Sequence, residues 1–119
     1  MDHHKFVISE HLNHYGTLYG GTLLKWIDEV GYITANVDYP GNRFVTIALD
    51  DVEFRHRIEV GAILRFAVKQ TRLGNSSVSY EVKVYAAHDE TPANKILFET
   101  NITFVNIDEH GNKAAIVRN

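Results

Sequence analysis

Four runs in the C-terminal two thirds of this chain alternate apolar and polar side chains with a period of two, and one stretch ahead of them has the spacing of a helix. Val45, Ile47 and Leu49 alternate with Thr46, Ala48 and Asp50. Leu64, Phe66 and Val68 alternate with Arg65, Ala67 and Lys69, and Val78, Tyr80, Val82 and Val84 with Ser79, Glu81 and Lys83. In the last run Ile96, Phe98, Ile102 and Phe104 share one face. Each run is expected to be a strand with its apolar face in a core. From Gly20 to Asn36 the residues Leu23, Leu24, Ile27, Val30 and Thr34 recur at three- and four-residue steps, the pattern of one helix face. Asp38-Tyr39-Pro40-Gly41 ends that helix, and Leu73-Gly74-Asn75-Ser76 and Asp89-Glu90-Thr91-Pro92 supply the hairpin connections. One helix followed by long antiparallel strands is an α+β layer pair. A single helix covers about one sheet face, and strands this rich in valine and aromatics would leave sticky edges in a lone copy, so self-association is expected.

Composition narrows the chemistry. The 119 residues, 45 % hydrophobic, suffice for one domain spanning 1–119. Twelve basic against fifteen acidic side chains give a net charge of -3, without the basic excess that binding many phosphates of a nucleic acid needs. There is no cysteine, so disulfides, thiolate metal sites and a cysteine nucleophile are all excluded. No window approaches the roughly 20 apolar residues of a membrane span, and the start of the chain lacks the apolar run of a leader. A cytoplasmic protein with no membrane partner is expected. Four of the seven histidines, His3, His4, His11 and His14, fall early in the chain, yet no second cluster completes a ligand set, so no metal is expected.

The helix start holds the most unusual local feature. Consecutive glycines weaken a helix by about 1 kcal/mol each relative to alanine, so Gly20 and Gly21 need another reason. One reason is catalytic: the first turn has unpaired N–H groups and a positive dipole end, and without side chains a polarised carbonyl can reach them as in an oxyanion hole. The other is structural, a sharp turn or a close helix–sheet contact. Asp28 falls at the boundary between the apolar arc and the polar face of Lys25 and Glu29, where periodicity does not single it out and a helical aspartate is usually just solvated. Lys25 and Glu29, four apart, fit a surface ion pair.

The full string Asn13-x-x-Gly16-x-x-Tyr19-Gly20-Gly21, followed by Leu24 and then Asp28-Glu29, resembles the active-site motif of the hotdog-fold acyl-CoA thioesterases. Later landmarks keep that family's order: Val45-Thr46, Phe54, Val60-Gly61, Gly74-Asn75-Ser76-Ser77-Val78, and Phe104-Val105 ahead of Asp108-Glu109-His110-Gly111. The resemblance covers roughly positions 5 to 113 and implies a hotdog fold, one long helix wrapped by a five- to six-stranded antiparallel sheet. It implies hydrolysis of acyl-CoA thioesters, with coenzyme A as part of the substrate and no cofactor. It also implies a homodimer at minimum, with tetramer and hexamer left open. Two departures stand out. Arg57 occupies a position where many relatives have proline, which bears on how Arg55, His56 and Arg57 meet the substrate. In the related 4-hydroxybenzoyl-CoA branch the catalytic acid sits where this chain has Asn13, so the carboxylate duty passes to Asp28.

The roles then expected are Gly21 N–H as the oxyanion donor, Asp28 as general base or nucleophile, and Asn13 as the group orienting water or carbonyl, with Asn13 and Asp28 from different protomers. A thiol with a pKa of about 8.5 departs with little help, so a carboxylate and an oxyanion hole suffice. With no Gly-x-Ser-x-Gly elbow, a serine route has no support. Substrate contacts are expected from Tyr19 and Gly20 beside the helix start. Further contacts are expected from Arg55, and from Arg72, Gly74, Asn75, Ser76 and Ser77 at a strand connection offering a cation, hydroxyls and backbone N–H groups; a plain hairpin turn is the structural alternative. A non-catalytic acyl-CoA sensor would carry an effector domain, for which one 119-residue domain leaves no room, and an enoyl hydratase would need a histidine partner for the aspartate that no pattern supplies.

Overall fold

The helix and strands follow the expected order in a computed structural model that describes residues 1–87 and 95–118. Strand β1 (Asp2–Phe6) and a short 3-10 turn (Ser9–His11) precede the helix α1 (Gly20–Asp38). Strands β2 (Phe44–Phe54), β3 (Ile63–Leu73), β4 (Ser77–Ala86) and β5 (Ile96–Asn106) follow. They form one antiparallel sheet in the order β1-β3-β4-β5-β2. The connection expected at Asp89–Pro92 lies outside the described residues.

The 19 residues of α1 span about 28 Å at 1.5 Å per residue and lie along the sheet. Leu23, Ile27, Val30 and Thr34 are buried, as their spacing requires, and Trp26, Gly31 and Ala35 join them. They face Phe66, Tyr80, Phe98, Ile102 and Phe104, all completely buried. Gly31 is where helix and sheet come closest: a Cβ there would lie 3.1 Å from the Phe104 ring and 3.2 Å from an Ile102 methyl. At the far end of the helix, Tyr80 donates its hydroxyl hydrogen bond to the Asp38 carboxylate at 2.9 Å. Burial, then that carboxylate, push the Tyr80 hydroxyl well above its ordinary pKa, so the phenol stays a donor.

Strand β1 has no counterpart among the expected elements. Its sequence, Asp-His-His-Lys-Phe, has no apolar alternation, because it is a short edge strand held by polar contacts with the helix. His3 Nε2 lies 3.0 Å from the Thr34 hydroxyl, and burial, followed by the nearby N-terminal ammonium, lowers the His3 pKa. Lys5 Nζ pairs with Glu29 at 2.5 Å, and this hydrogen bond holds the Glu29 carboxyl below its usual range. The expected Lys25–Glu29 pair is thereby corrected: Lys5 of strand β1, not Lys25 of the same helix, takes the carboxylate.

Strand β2 departs from expectation in burial. Its run was expected to bury Val45, Ile47 and Leu49, yet Val45 is 38 % and Ile47 56 % exposed. The ladder with β5 skips Ile47 between the pairs Thr46–Phe104 and Ala48–Thr103, and β2 is an edge with no neighbour on its outer side among the described residues. A bulge there re-aims the side chains. At the opposite end of the sheet from the helix start, the β3–β4 hairpin is closed by Gly74 N–H donating to the Ser77 carbonyl at 2.8 Å. The C-terminal segment runs across it, with Ile116 N–H donating to Asn75 O and Asn106 N–H to Ser76 O.

The closeness at Gly31 makes a volume test possible. Gly31→Val should force α1 off the sheet and lower stability by about 1–3 kcal/mol, read from the urea midpoint; an unchanged midpoint would show that the contact has room to spare.

Candidate active site

The helix start is built by hydrogen bonds that bring three segments together. Leu18 N–H donates to the Ile58 carbonyl at 2.8 Å, Tyr19 N–H to the His11 carbonyl at 2.9 Å, and Thr17 bridges to Glu59. Tyr19 stands in extended conformation at the N-cap, and its carbonyl accepts from Thr22 and Leu23 at 3.0 and 3.1 Å. The N–H groups of Gly20 and Gly21 have no acceptor among the described residues. Both glycines are tightly hemmed: a Cβ on Gly20 would sit 3.2 Å from the Phe54 ring, and one on Gly21 2.7 Å from the Tyr19 ring. The turn reading and the oxyanion reading therefore describe the same residues: the aromatic neighbours leave little room for side chains there, and the N–H groups are bare because a helix start has no intrahelical acceptor for them.

Beside them opens a cavity of about 460 Å³, lined by Asn13, Thr17, Leu18, Gly20 and Leu23 on one side and by Phe54, Arg55, His56, Arg57, Ile58 and Leu97 on the other. Leu18, Leu23 and Ile58 are buried, so its floor is apolar. Asn13 sits at the rim. Its Oδ1 accepts from the N–H groups of Tyr15 and Thr17 at 2.9 and 3.2 Å, while its own N–H donates to the Thr17 carbonyl. Gly16 completes this loop at φ 81°, in the left-handed region where a side chain is strained. With the oxygen so engaged, the Asn13 Nδ2 is left as a donor without an acceptor among the described residues.

Asp28 lies outside this cavity. It is exposed on the flank of α1 that faces the edge strand, and its Oδ1 accepts a hydrogen bond of 2.5 Å from the Thr46 hydroxyl of β2. One chain therefore gathers Asn13, Gly20 and the 55–58 loop around the cavity and holds Asp28 apart beside β2. Thr46 was absent from the expected site residues. It entered only as the opening of a strand, and nothing in the periodicity of either element signals a contact between two side chains eighteen positions apart.

The basic residues divide in two. Arg55 pairs with Glu99 at 3.1 Å and Glu53 at 3.3 Å, so its charge is largely met. Arg57 lines the cavity mouth with no ion pair among the described residues. Arg72, Gly74, Asn75, Ser76 and Ser77 stand together at the β3–β4 hairpin, far from this chain's own helix start: Gln70, just before them, bonds Tyr39 at the helix C-cap. There the Gly74 carbonyl accepts from Arg118. Tyr19 is exposed beside the glycines. Among the described residues no three His, Asp or Glu side chains converge as metal ligands, and no helix is long and apolar enough to cross a membrane.

The description "Thioesterase superfamily" belongs to the family that matches residues 15–93 of this chain. Acyl-coenzyme A thioesterase 11 of Mus musculus is 38 % identical over 80 residues, which are 67 % of this chain but only 13 % of the mouse protein. The chain thus spans a small part of the length of that relative. Among solved structures, an acyl-CoA hydrolase from Staphylococcus aureus, in complex with butyryl coenzyme A, coenzyme A and coenzyme A disulfide, superposes with a TM-score of 0.80 at 28 % identity. The match covers 98 % of this chain and 68 % of that one. Variants of that hydrolase exchange an asparagine, an aspartate or a threonine for alanine, and its asparagine and aspartate stand fifteen positions apart. A hexameric hotdog fold thioesterase of Campylobacter jejuni superposes with a TM-score of 0.80 at 29 % identity, covering 96 % of this chain and 87 % of that one.

The dual use of Asn13 separates loop-building from chemistry. Asn13→Ala removes the acceptor for two loop N–H groups and should cost about 1–2 kcal/mol, whereas Asn13→Asp keeps the acceptor and should stay near the parent in thermal denaturation. Equal melting of Asn13→Ala and the parent would mean that the loop does not depend on this side chain.

Proposed function

Because the chain belongs to the thioesterase superfamily, we propose that it hydrolyses acyl-coenzyme A thioesters, with the bare N–H groups at the start of α1 holding the thioester oxygen. It has the hotdog fold, one long helix laid against an antiparallel sheet. The observation that carries the proposal is that Gly20, which lines a cavity of about 460 Å³, and Gly21, next to it in the chain but not in the lining, have N–H groups without an acceptor among the described residues; that volume is within the usual range of small-molecule sites.

The thioester carbonyl accepts from the Gly21 N–H, with Gly20 beside it, and the helix dipole adds to the polarisation. Asp28 takes a proton from the attacking water, or attacks the carbonyl carbon itself; the tetrahedral oxyanion collapses, the carbon–sulfur bond breaks, and the thiolate leaves to be protonated. The Thr46 hydroxyl bonds one carboxylate oxygen of Asp28 and leaves the other for water. Asn13 directs its free Nδ2 at the water or the carbonyl. Asn13 and Asp28 stand fifteen positions apart, as do the asparagine and aspartate exchanged in the Staphylococcus hydrolase, and Thr46 supplies the third residue type.

A second copy completes the site. Its partner surface is β2, an edge strand with exposed Val45 and Ile47 and an unpaired outer ladder, next to the flank of α1 that carries Asp28. Two β2 edges related by a two-fold axis run antiparallel, so each chain's helix start lies at the end of the sheet where its partner's β3–β4 hairpin lies. That arrangement brings Asp28 of one protomer toward Asn13 and the cavity of the other, and it gives Arg72, Gly74, Asn75, Ser76 and Ser77 a route to the coenzyme A of the facing site. A higher assembly of such dimers, as in the hexameric Campylobacter thioesterase, is compatible with it.

Two measurements test this reading. Asp28→Ala and Asn13→Ala should each abolish free-thiol release from acyl-CoA, and co-refolding the two in equal amounts should restore about a quarter of the parent activity, because half of the dimers are then mixed and each has one intact site. Binding of acyl-CoA without thiol release by the parent would favour a sensor instead, and a dead mixture would place both residues in the same protomer's site. Gly21→Ala should stay within about 1 kcal/mol of the parent in stability, since alanine favours the helix and the exposed Tyr19 ring can swing aside. The same variant should lose about 100-fold in kcat/KM as the carbonyl is pushed from its donor; full activity would remove Gly21 from the mechanism.

A further inference from the structure

The residues that line the cavity include two arginines and a histidine, Arg55, Arg57 and His56, but no aspartate or glutamate. The chain as a whole has fifteen acidic against twelve basic side chains, so this imbalance is local to the cavity. The two arginines differ in what they face. Glu99 at 3.1 Å and Glu53 at 3.3 Å meet the charge of Arg55, whereas Arg57, which is exposed, has no carboxylate partner among the described residues. The backbone that carries Arg57 is nevertheless fixed on both sides. Arg55 N–H donates to the Leu97 carbonyl at 3.3 Å, and the Ile58 carbonyl accepts from Leu18 N–H at 2.8 Å, with the Ile58 side chain buried in the floor. A short segment pinned to opposite walls thus holds one uncompensated guanidinium at the cavity.

Resting on the thioesterase reading above, we propose that Arg57 is the residue by which this site selects an anionic group on its substrate. A guanidinium is always charged and offers its donors in a planar fork, so the group it takes is an oxyanion, a carboxylate or a phosphate. An acyl-coenzyme A can bring that chemistry from two sources: an acyl group that itself ends in a carboxylate, or the phosphates of the coenzyme. The extended pantetheine arm carries the phosphates about 15 Å from the sulfur, by the reach of a peptide with as many bonds, whereas a compact cavity of about 460 Å³ is only about 10 Å across. The floor of Leu18, Leu23 and Ile58 suits the methylenes that would precede an acyl carboxylate. These dimensions favour the acyl group as the source.

The test uses two thioethers that cannot be hydrolysed, S-butyl coenzyme A and its carboxypropyl counterpart, which has as many carbons but ends in a carboxylate. If the acyl end supplies the anion, calorimetric titration should show the parent binding the carboxypropyl ligand about tenfold more tightly, and Arg57→Gln should lose only that preference. If the phosphates supply it, Arg57→Gln should weaken both ligands by one factor. Arg57→Lys, which keeps the charge without the fork, should fall between the two proteins. In either case the loss in Arg57→Gln should shrink at about 1 M salt, where the screening length falls to about 3 Å. Equal affinities of Arg57→Gln and the parent for both ligands, or a loss that salt leaves untouched, overturns the proposal. Thiol release from butyryl- and succinyl-coenzyme A reads the reaction separately. An Arg57-dependent affinity with no thiol release would keep Arg57 and sink the hydrolase, whereas hydrolysis with affinities indifferent to Arg57 would sink Arg57 alone. A parent that neither binds the thioethers nor hydrolyses the thioesters would overturn both.

Discussion

Gly31 lets α1 approach the sheet so closely that a Cβ there would lie 3.1 Å from the Phe104 ring and 3.2 Å from an Ile102 methyl, and the seating of the helix rests on that contact. Ile27 and Val30 fill the space on either side against fully buried aromatic and branched residues of the sheet. A helix seated so closely cannot slide or rotate without opening voids in a densely packed interior. Its N-terminal turn is therefore held in place over the floor of Leu18, Leu23 and Ile58. Its far end is tied by Tyr80 to Asp38 and its flank by Lys5 to Glu29. Preorganised donors are useful only if they do not move when charge develops on a bound oxygen, so the proposed oxyanion role of these N–H groups depends on the helix–sheet contact.

Stability and chemistry are drawn from different ends of the molecule. The end with the β3–β4 hairpin is closed by backbone hydrogen bonds from the end of β5 to the Ser76 carbonyl and from Ile116 in the C-terminal segment to the Asn75 carbonyl, which secure the turn. The end with the helix start is left open: among the described residues two of its N–H groups, the Asn13 amide nitrogen and Arg57 have no partner. Unpaired polar groups cost free energy unless water or a ligand meets them, and their concentration around one cavity is the pattern of a binding site rather than of a structural cap.

Edge strand β2 links the fold to the proposed assembly. It carries the hydroxyl that holds Asp28 and the ring that walls the cavity, yet its outer ladder and several apolar side chains are uncovered in one chain. Proteins usually blunt such edges, and this one has two register shifts and the acidic residues Asp50, Asp51 and Glu53; the acids lie at its middle or in its second half, while the 44–49 half has neither charge nor proline. In the proposed dimer a two-fold partner would cover the exposed edge and at the same time bring the aspartate of one chain to the asparagine of the other.

Much of this was legible in the linear order of residues. Period-two runs and the single helical spacing located α1 and the four long strands, because burial of one face imposes those repeats whatever the neighbours are. The string from Asn13 to Asp28 pointed to the family for the same local reason: a glycine pair before an amphipathic helix is a strong constraint within a short span. The missed features depend on contacts between distant segments. Strand β1 is polar and short, and only Thr34 and Glu29 on the helix explain it. Glu29 turned from Lys25 to Lys5, β2 exposed the face expected inside, Thr46 reached Asp28, and Arg55 was taken up by Glu53 and Glu99. Residue order determined which segments are helix and strand and where the helix start lies, since those follow from local spacing. Only the tertiary structure decided which side chains share the cavity and that Asp28 stands outside it, since those positions follow from strand order and helix placement, which no local repeat encodes.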